Sequence, residues 1–228
     1  MYTNVNLLAP LGVMALLGTG FLLLMTFLVL IYSLAARKFG LTKIVVVVLV
    51  AVAGIYLGTV LIFSFASSEK VLVRGQEKHF CEIDCHLAYS LTETKQMKTI
   101  GASSDQATAS GLFTAVTIKT RFDETTIGPN RGDGLLSPNS RVLTLIDDQG
   151  RKYAPATAGQ KALEASAAAG RPLTTPLRPG ESYTTTVVFD LPLDAKNPTL
   201  LINEGEWITH LVIGHENSLL HKKTRFQI

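Results

Sequence analysis

The stretch Phe80-Cys81-Glu82-Ile83-Asp84-Cys85-His86 holds both cysteines of this 228-residue chain, beside an imidazole and two carboxylates. Thiolates with imidazole bind zinc or copper, so Cys81, Cys85 and His86 are the metal ligands this spacing offers. Three donors leave the shell incomplete, and His79, His210, His215 or His221 would have to finish it. Outside the cytoplasm the same pair of cysteines can instead form a disulfide or a redox couple. In a regular strand, residues four apart lie about 13 Å from one another, well beyond the roughly 4.4–6.8 Å Cα separation a disulfide tolerates. Either the strand breaks here, or the two cysteines are separate small buried residues. A break would let Cys81 and Cys85 close a short loop or chelate one ion. Glu82, Asp84 and His86 fall on the opposite strand face, which reads as its solvated side.

The other chemistry-bearing patterns are weaker. The spacings of His210, His215 and His221 match no helical zinc pair, and these residues read as surface or capping histidines. Arg131-Gly132-Asp133 spells an adhesion tripeptide, a pattern short enough to recur by chance. A c-type haem needs two cysteines followed directly by His, but with two residues between the cysteines where this chain has three. Nucleophile-elbow, phosphate-loop and dinucleotide motifs are absent, so the sequence predicts a chain that is not an enzyme.

Two apolar runs, residues 7–36 and 44–66, fix where any such chemistry takes place. A helix of about 20 apolar residues crosses the roughly 30 Å hydrocarbon layer. Both runs are longer than that and carry no ionisable group in their interior, which argues against a pump or channel and for an anchor. The connecting loop, 37–43, contains Arg37, Lys38 and Lys43 and no acid. Basic loops stay cytoplasmic, so both chain ends are expected outside, with the C-terminal domain extracytoplasmic at the plasma (inner) membrane. The chain carries 21 Lys and Arg against 18 Asp and Glu, so the three loop cations equal its entire charge surplus. The remainder is balanced and has no field to attract nucleic acid. Residues before the first run include no Lys or Arg, unlike a secretory signal, so the first helix is expected to be retained. Gly54 and Gly58 have the small-xxx-small spacing of packed membrane helices, and Gly12, Ala15, Gly18 and Gly20 form a similar strip; both are expected to pack the hairpin on itself.

Beyond residue 66 the composition changes to short apolar stretches punctuated by Ser, Thr, Gly and Pro. Residues 67–79 read as a stalk with a short strand near Val71–Val73, and residues 80–228 as one domain. Period-two alternation predicts strands at 80–91, 113–122, 142–146 and 182–190, with the last strands at 199–202, 207–213 and 224–228. Asp147-Asp148-Gln149-Gly150 reads as a hairpin turn leading to Lys152 and Tyr153. Residues 127–140 read as a loop, 160–169 as a short helix ended by Gly170 and Pro172, and Trp207 as core.

Three of these segments carry a resemblance. Leu143 to Tyr153 with its Asp147-to-Gly150 turn, Leu177-Arg178-Pro179-Gly180-Glu181-Ser182-Tyr183, and Val188-Phe189-Asp190-Leu191-Pro192 together resemble the telokin-like, immunoglobulin-like β-sandwich family of bacterial exported proteins. That family is similar to the secreted mycobacterial immunoprotective antigen fold. The resemblance covers about residues 80–228 and rests on structural motifs. It implies an all-β, immunoglobulin-like sandwich behind a two-helix transmembrane hairpin and no established enzymatic activity; fold alone assigns no function. The layout, though not the motif order, is also similar to cytochrome c oxidase subunit II, whose copper motif likewise separates its cysteines by three residues. There a His follows the second cysteine by four positions and a Met by seven, where this chain has Tyr89 and Thr92.

The resulting expectation is a membrane-anchored, non-enzymatic binding or accessory module with a protein partner, no cofactor and no nucleic acid. The alternative is a copper or zinc protein using Cys81, Cys85 and His86, linked to respiratory metal handling.

Overall fold

A computed structural model describes residues 2–4, 9–80, 86–102, 105–127 and 130–228. The chain divides into two compact units. One comprises Met1–Val5, Glu69–Glu206 and Lys223–Ile228; the other comprises Asn6–Ser68 and Trp207–Lys222.

The second unit is built on α1 (Ala9–Ala35) and α2 (Phe39–Ala66). Pro10–Ala35 and Phe39–Ala66 are each long and apolar enough to cross a membrane. The reversal between the helices is tighter than expected. Arg37 takes a left-handed conformation (φ 52°), Lys38 N–H donates to the Ser33 carbonyl at 2.8 Å and Arg37 N–H to that of Leu34 at 3.0 Å. This is a Schellman cap, which satisfies the last carbonyls of α1 within three residues. Lys43 therefore lies in the first turns of α2 and not in a loop ending at residue 43. Ser33 and Thr42 hydroxyls meet at 2.9 Å across the reversal. The expected glycine packing is not found: a Cβ at Gly18, Gly20, Gly54 or Gly58 would meet nothing within 4 Å. Gly12 alone of these is pressed, against the carbonyl of Ile213 and a methyl of Val212.

The first unit has two five-stranded sheets. One follows the order β1-β3-β4-β5-β8, with β1 (Tyr2–Asn4) parallel to β3 (Glu77–Phe80) and antiparallel pairing across β4 (Leu87–Ile100), β5 (Ala107–Phe122) and β8 (Ser182–Leu191). The other follows β2-β10-β9-β6-β7, from β2 (Lys70–Leu72), β10 (Thr224–Gln227), β9 (Thr199–Glu204), β6 (Arg141–Ile146) and β7 (Lys152–Tyr153). Alternation sends Tyr89, Leu91, Val116, Ile118, Val187 and Phe189 of the first sheet into one core with Leu145, Leu200, Ile202 and Phe226 of the second. Phe113, Ala115 and Val188 point the other way and are covered by α3 (Thr157–Ala165) through Ala162 and Leu163. Gly159 permits that contact, since a Cβ there would come within 2.8 Å of the Val188 side chain.

Five expectations are revised. Residues 67–79 are not a stalk, because β2 and most of β3 lie within them and belong to the sheets. The strand expected over 80–91 is two strands: Phe80 pairs with Leu87 in antiparallel register, so the chain reverses between them. Residues 207–213 form a 3-10 helix at Trp207–Leu211 in the helical unit instead of a strand, and Trp207 is 70% exposed instead of core. The helix expected over 160–169 spans Thr157–Ala165.

Candidate functional site

The reversal after Phe80 brings the ends of β3, β4 and β5 together. On one face His79 pairs across with Ala88, and Ala88 with Arg121. The small Ala88 and Ser90 side chains leave room for Arg121 to reach over β4 to β3. Its Nε and Nη2 donate to the two Glu77 carboxylate oxygens at 2.8 and 2.7 Å, a bidentate fork. Its Nη1 lies 3.1 Å from Asp123 Oδ1.

Asp123 is the hub of the group. Its Oδ1 accepts from the Thr125 backbone N–H at 3.1 Å and the Thr125 hydroxyl at 2.7 Å, capping the 3-10 turn Glu124–Thr126, while Oδ2 lies 3.0 Å from His79 Nε2. Burial alone would raise this carboxyl's pKa, but hydrogen bonds from Arg121, Thr125 and His79 outweigh it and hold it well below the usual range. The Arg121 hydrogen bonds likewise lower Glu77, against its partial burial. Arg121 is raised chiefly by Glu77.

Glu77, His79 and Asp123 bring three possible ligand atoms within 4.8 Å of one another. The guanidinium of Arg121 already bridges both carboxylates, so the position a cation would take is filled by the chain's own cation. The triad is an ion-pair network.

His86, immediately before β4, is buried and stacks on Phe122 with centroids 5.3 Å apart. The Thr126 hydroxyl donates to the Asp123 carbonyl at 2.8 Å, so its oxygen accepts the short 2.5 Å bond from His86 Nδ1–H. One short loop, Asp123 to Thr126, thus orients both imidazoles that flank the cysteine segment. Cys81 and Cys85, with Glu82 and Asp84, lie outside the described residues. His210, His215 and His221 belong to the helical unit. The role of Arg121 and Asp123 was missed from sequence, although the charged pairs Glu77/His79 and Arg121/Asp123 both repeat at a spacing of two at strand ends.

The opposite face of β3 carries a second polar group. Lys78 is fully buried; its Nζ donates to the Ile202 carbonyl at 2.8 Å and that of Thr224 at 3.1 Å, and lies 4.7 Å from the Phe80 ring centre. The Arg141 guanidinium sits 4.3 Å from the same ring centre, donates to the Tyr89 hydroxyl at 3.2 Å and lies 3.7 Å from Glu204. Buried charge needs such partners, and these tie β3 to β9 and β10 in one register.

No family model and no curated protein matches the chain. Among solved structures it is similar to the secreted protein MPT63 from Mycobacterium tuberculosis, at 11% identity over 72% of this chain and 100% of that one, with a TM-score of 0.44. It is also similar to the yjhA protein of Bacillus subtilis, at 12% identity over 69% and 98% with a TM-score of 0.41, and to a conserved hypothetical protein from Bacillus anthracis, at 13% over 55% and 87% with a TM-score of 0.39.

Proposed function

We propose that the chain is a membrane-anchored module whose β-rich unit, an immunoglobulin-like sandwich of the telokin-like type, works outside the cytoplasm as a non-enzymatic binding or accessory unit for a protein partner. The observation that carries this reading is the parallel pairing of β1 with β3. The segment before α1 and the segment after α2 enter the same β-rich unit, as an even number of membrane crossings requires. A cleaved signal would discard β1, whereas here it forms the edge of a sheet. Arg37 and Lys38 occupy the tip of the reversal, the position that the preference of basic loops for the cytoplasm would give them. Protease added to the outer face of sealed membranes should digest the β-rich unit and leave a carbonate-resistant hairpin fragment. Full protection of the β-rich unit would overturn the reading.

A second reading rests on the Asp123–Thr126 loop, which fixes one nitrogen of His79 and one of His86. Metal-binding histidines are held through their other ring nitrogen in this way. His79, Cys81, Cys85 and His86 would then make a two-thiolate, two-imidazole set suited to zinc or copper. Metal analysis of the purified chain should find a stoichiometric ion that Cys81→Ser/Cys85→Ser loses. Absence of zinc and copper from the parent protein, purified without chelator, would remove this reading.

A further inference from the structure

The segment Trp207–Lys222 leaves the β-rich unit after β9, packs within the helical unit, and returns to β10. Val212 is buried and His210 and Lys222 are exposed, as water would have them, but the rest of its burial pattern is inverted relative to a water-facing loop. His215, Glu216, Asn217 and Ser218 are buried, while Trp207, Ile208, Leu219 and Leu220 are exposed, Trp207 and Leu220 by 70% and 67%. His215, Asn217 and Ser218 are served from inside the segment. Asn217 Nδ2 donates to the Thr209 hydroxyl at 2.6 Å, Asn217 N–H to His215 Nδ1 at 2.9 Å, Leu219 N–H to the His210 carbonyl at 3.1 Å, and the Ser218 hydroxyl to the Val212 carbonyl. Leu220 has φ 61°, a conformation costly for a bulky side chain, so neither core packing nor backbone preference accounts for a leucine there. Irregular backbone does not lie exposed to lipid within the hydrocarbon region, so a segment that closes backbone bonds on itself and turns Trp207, Ile208, Leu219 and Leu220 outward fits the membrane interface rather than the hydrocarbon core.

The segment's depth agrees. At 27 and 28 residues, α1 and α2 are about 40 Å long, some 10 Å more than the hydrocarbon layer. With the basic reversal held at one surface, the surplus emerges at the other end, where Trp207–Lys222 packs. Tyr56, ten residues before Ala66 and so about 15 Å below the end of α2, donates to the Leu211 carbonyl at 2.8 Å. Lys222 N–H donates to the Ser67 hydroxyl at the helix end, at 2.9 Å. The segment thus runs from near the hydrocarbon boundary to the headgroups, the zone that tryptophan favours and where lysine reaches phosphate.

We infer that Trp207–Lys222 is an interfacial anchor: it lies in the outer leaflet against the hairpin, with Trp207, Ile208, Leu219 and Leu220 in contact with lipid and His221 and Lys222 at headgroup level. The inference rests on the membrane-anchored reading above.

Trp207 is the chain's one tryptophan, so its fluorescence reads the position of the segment directly. The full chain would be reconstituted in phosphatidylcholine vesicles carrying bromine either near the headgroup or near the chain end. Resistance to carbonate reports the hairpin; quenching reports the segment. The expected result is blue-shifted emission, strong loss of signal with shallow bromine, weaker loss with deep bromine, and shielding from aqueous iodide. Tyr56→Phe, which releases Leu211, should weaken the shallow quenching while leaving carbonate resistance intact. Carbonate-resistant protein whose Trp207 is quenched by iodide and untouched by either bromolipid overturns the interfacial anchor alone. Protein stripped from the vesicles by carbonate overturns both it and the membrane reading.

Discussion

The Tyr56 hydroxyl in the second apolar helix donates to the main-chain carbonyl of Leu211 at 2.8 Å, joining residues 155 positions apart in the chain. That bond closes the helical unit from outside the hairpin sequence, and it explains why a stretch with strand-like alternation is not a strand. Trp207, Ile208 and Leu211 join neither sheet; Leu211 instead meets Tyr56 of α2, and Val212 and Ile213 meet Gly12 of α1.

Gly12 is the point at which this packing is most easily broken. A Cβ there would overlap the Ile213 carbonyl and come within 2.9 Å of Val212, whereas one at Gly58 meets nothing within 4 Å. Gly12→Leu should displace Trp207–Lys222 and raise the accessibility of that segment to added protease, and Gly58→Leu should not. Limited proteolysis of the two variants, followed by mass mapping of cuts between residues 207 and 222, checks this.

Arg121 should be difficult to replace. Arg121→Met leaves Glu77 and Asp123 as neighbouring carboxylates without their shared donor and should cost about 2 kcal/mol, the scale of losing charge-assisted hydrogen bonds at a partly exposed site. Arg121→Lys should recover less than half of that loss, since an ammonium cannot fork across Glu77 while reaching Asp123. Denaturant midpoints of the full chain, compared with Arg121→Met/Glu77→Gln, read the size of the coupling.

Acid should weaken the β-rich unit in a defined window. Burial would raise the Asp147 pKa, but Arg151 Nε at 2.7 Å, the Tyr153 hydroxyl at 2.9 Å and the Arg151 N–H at 2.9 Å hold it below its ordinary 3.8. A carboxyl that is more acidic folded than unfolded stabilises the fold above its unfolded pKa and loses that contribution as pH falls toward its folded pKa. The melting temperature should therefore be level down to about pH 5 and decline below about pH 4. Asp147→Asn should lower it at neutral pH and flatten the decline.

Much of the fold was legible because its signals are local. The apolar runs exceed any membrane thickness, and the strands at Arg141–Ile146 and Ser182–Leu191 alternate cleanly between two environments. What was not legible depended on partners far away in the chain. The middle of β4, from Thr92 to Gln96, has no apolar residue and is a strand because β5 pairs with it. Lys78 reads as a surface charge until Ile202 and Thr224 supply the carbonyls that receive it. Of the candidate site residues, His86 lies against Phe122 and Thr126, while Cys81 and Cys85 lie outside the described residues. A strand drawn straight through residues 80–91 hid the antiparallel pairing of Phe80 with Leu87. Arg121, Asp123 and Thr126 come from a strand end about forty residues further on.

An outward β-rich unit held by a hairpin with an inward tip is open to a direct test by paired cysteine labelling. In a Cys81→Ser/Cys85→Ser background, single cysteines would replace Ser137, exposed in the β-rich unit, and Gly40, exposed in the first turn of α2. Intact cells, with any outer membrane permeabilised, would receive a membrane-impermeant thiol reagent. Labelling is expected at position 137, and none at position 40 until the inner membrane is opened. Labelling at 40 with protection at 137 would contradict that topology.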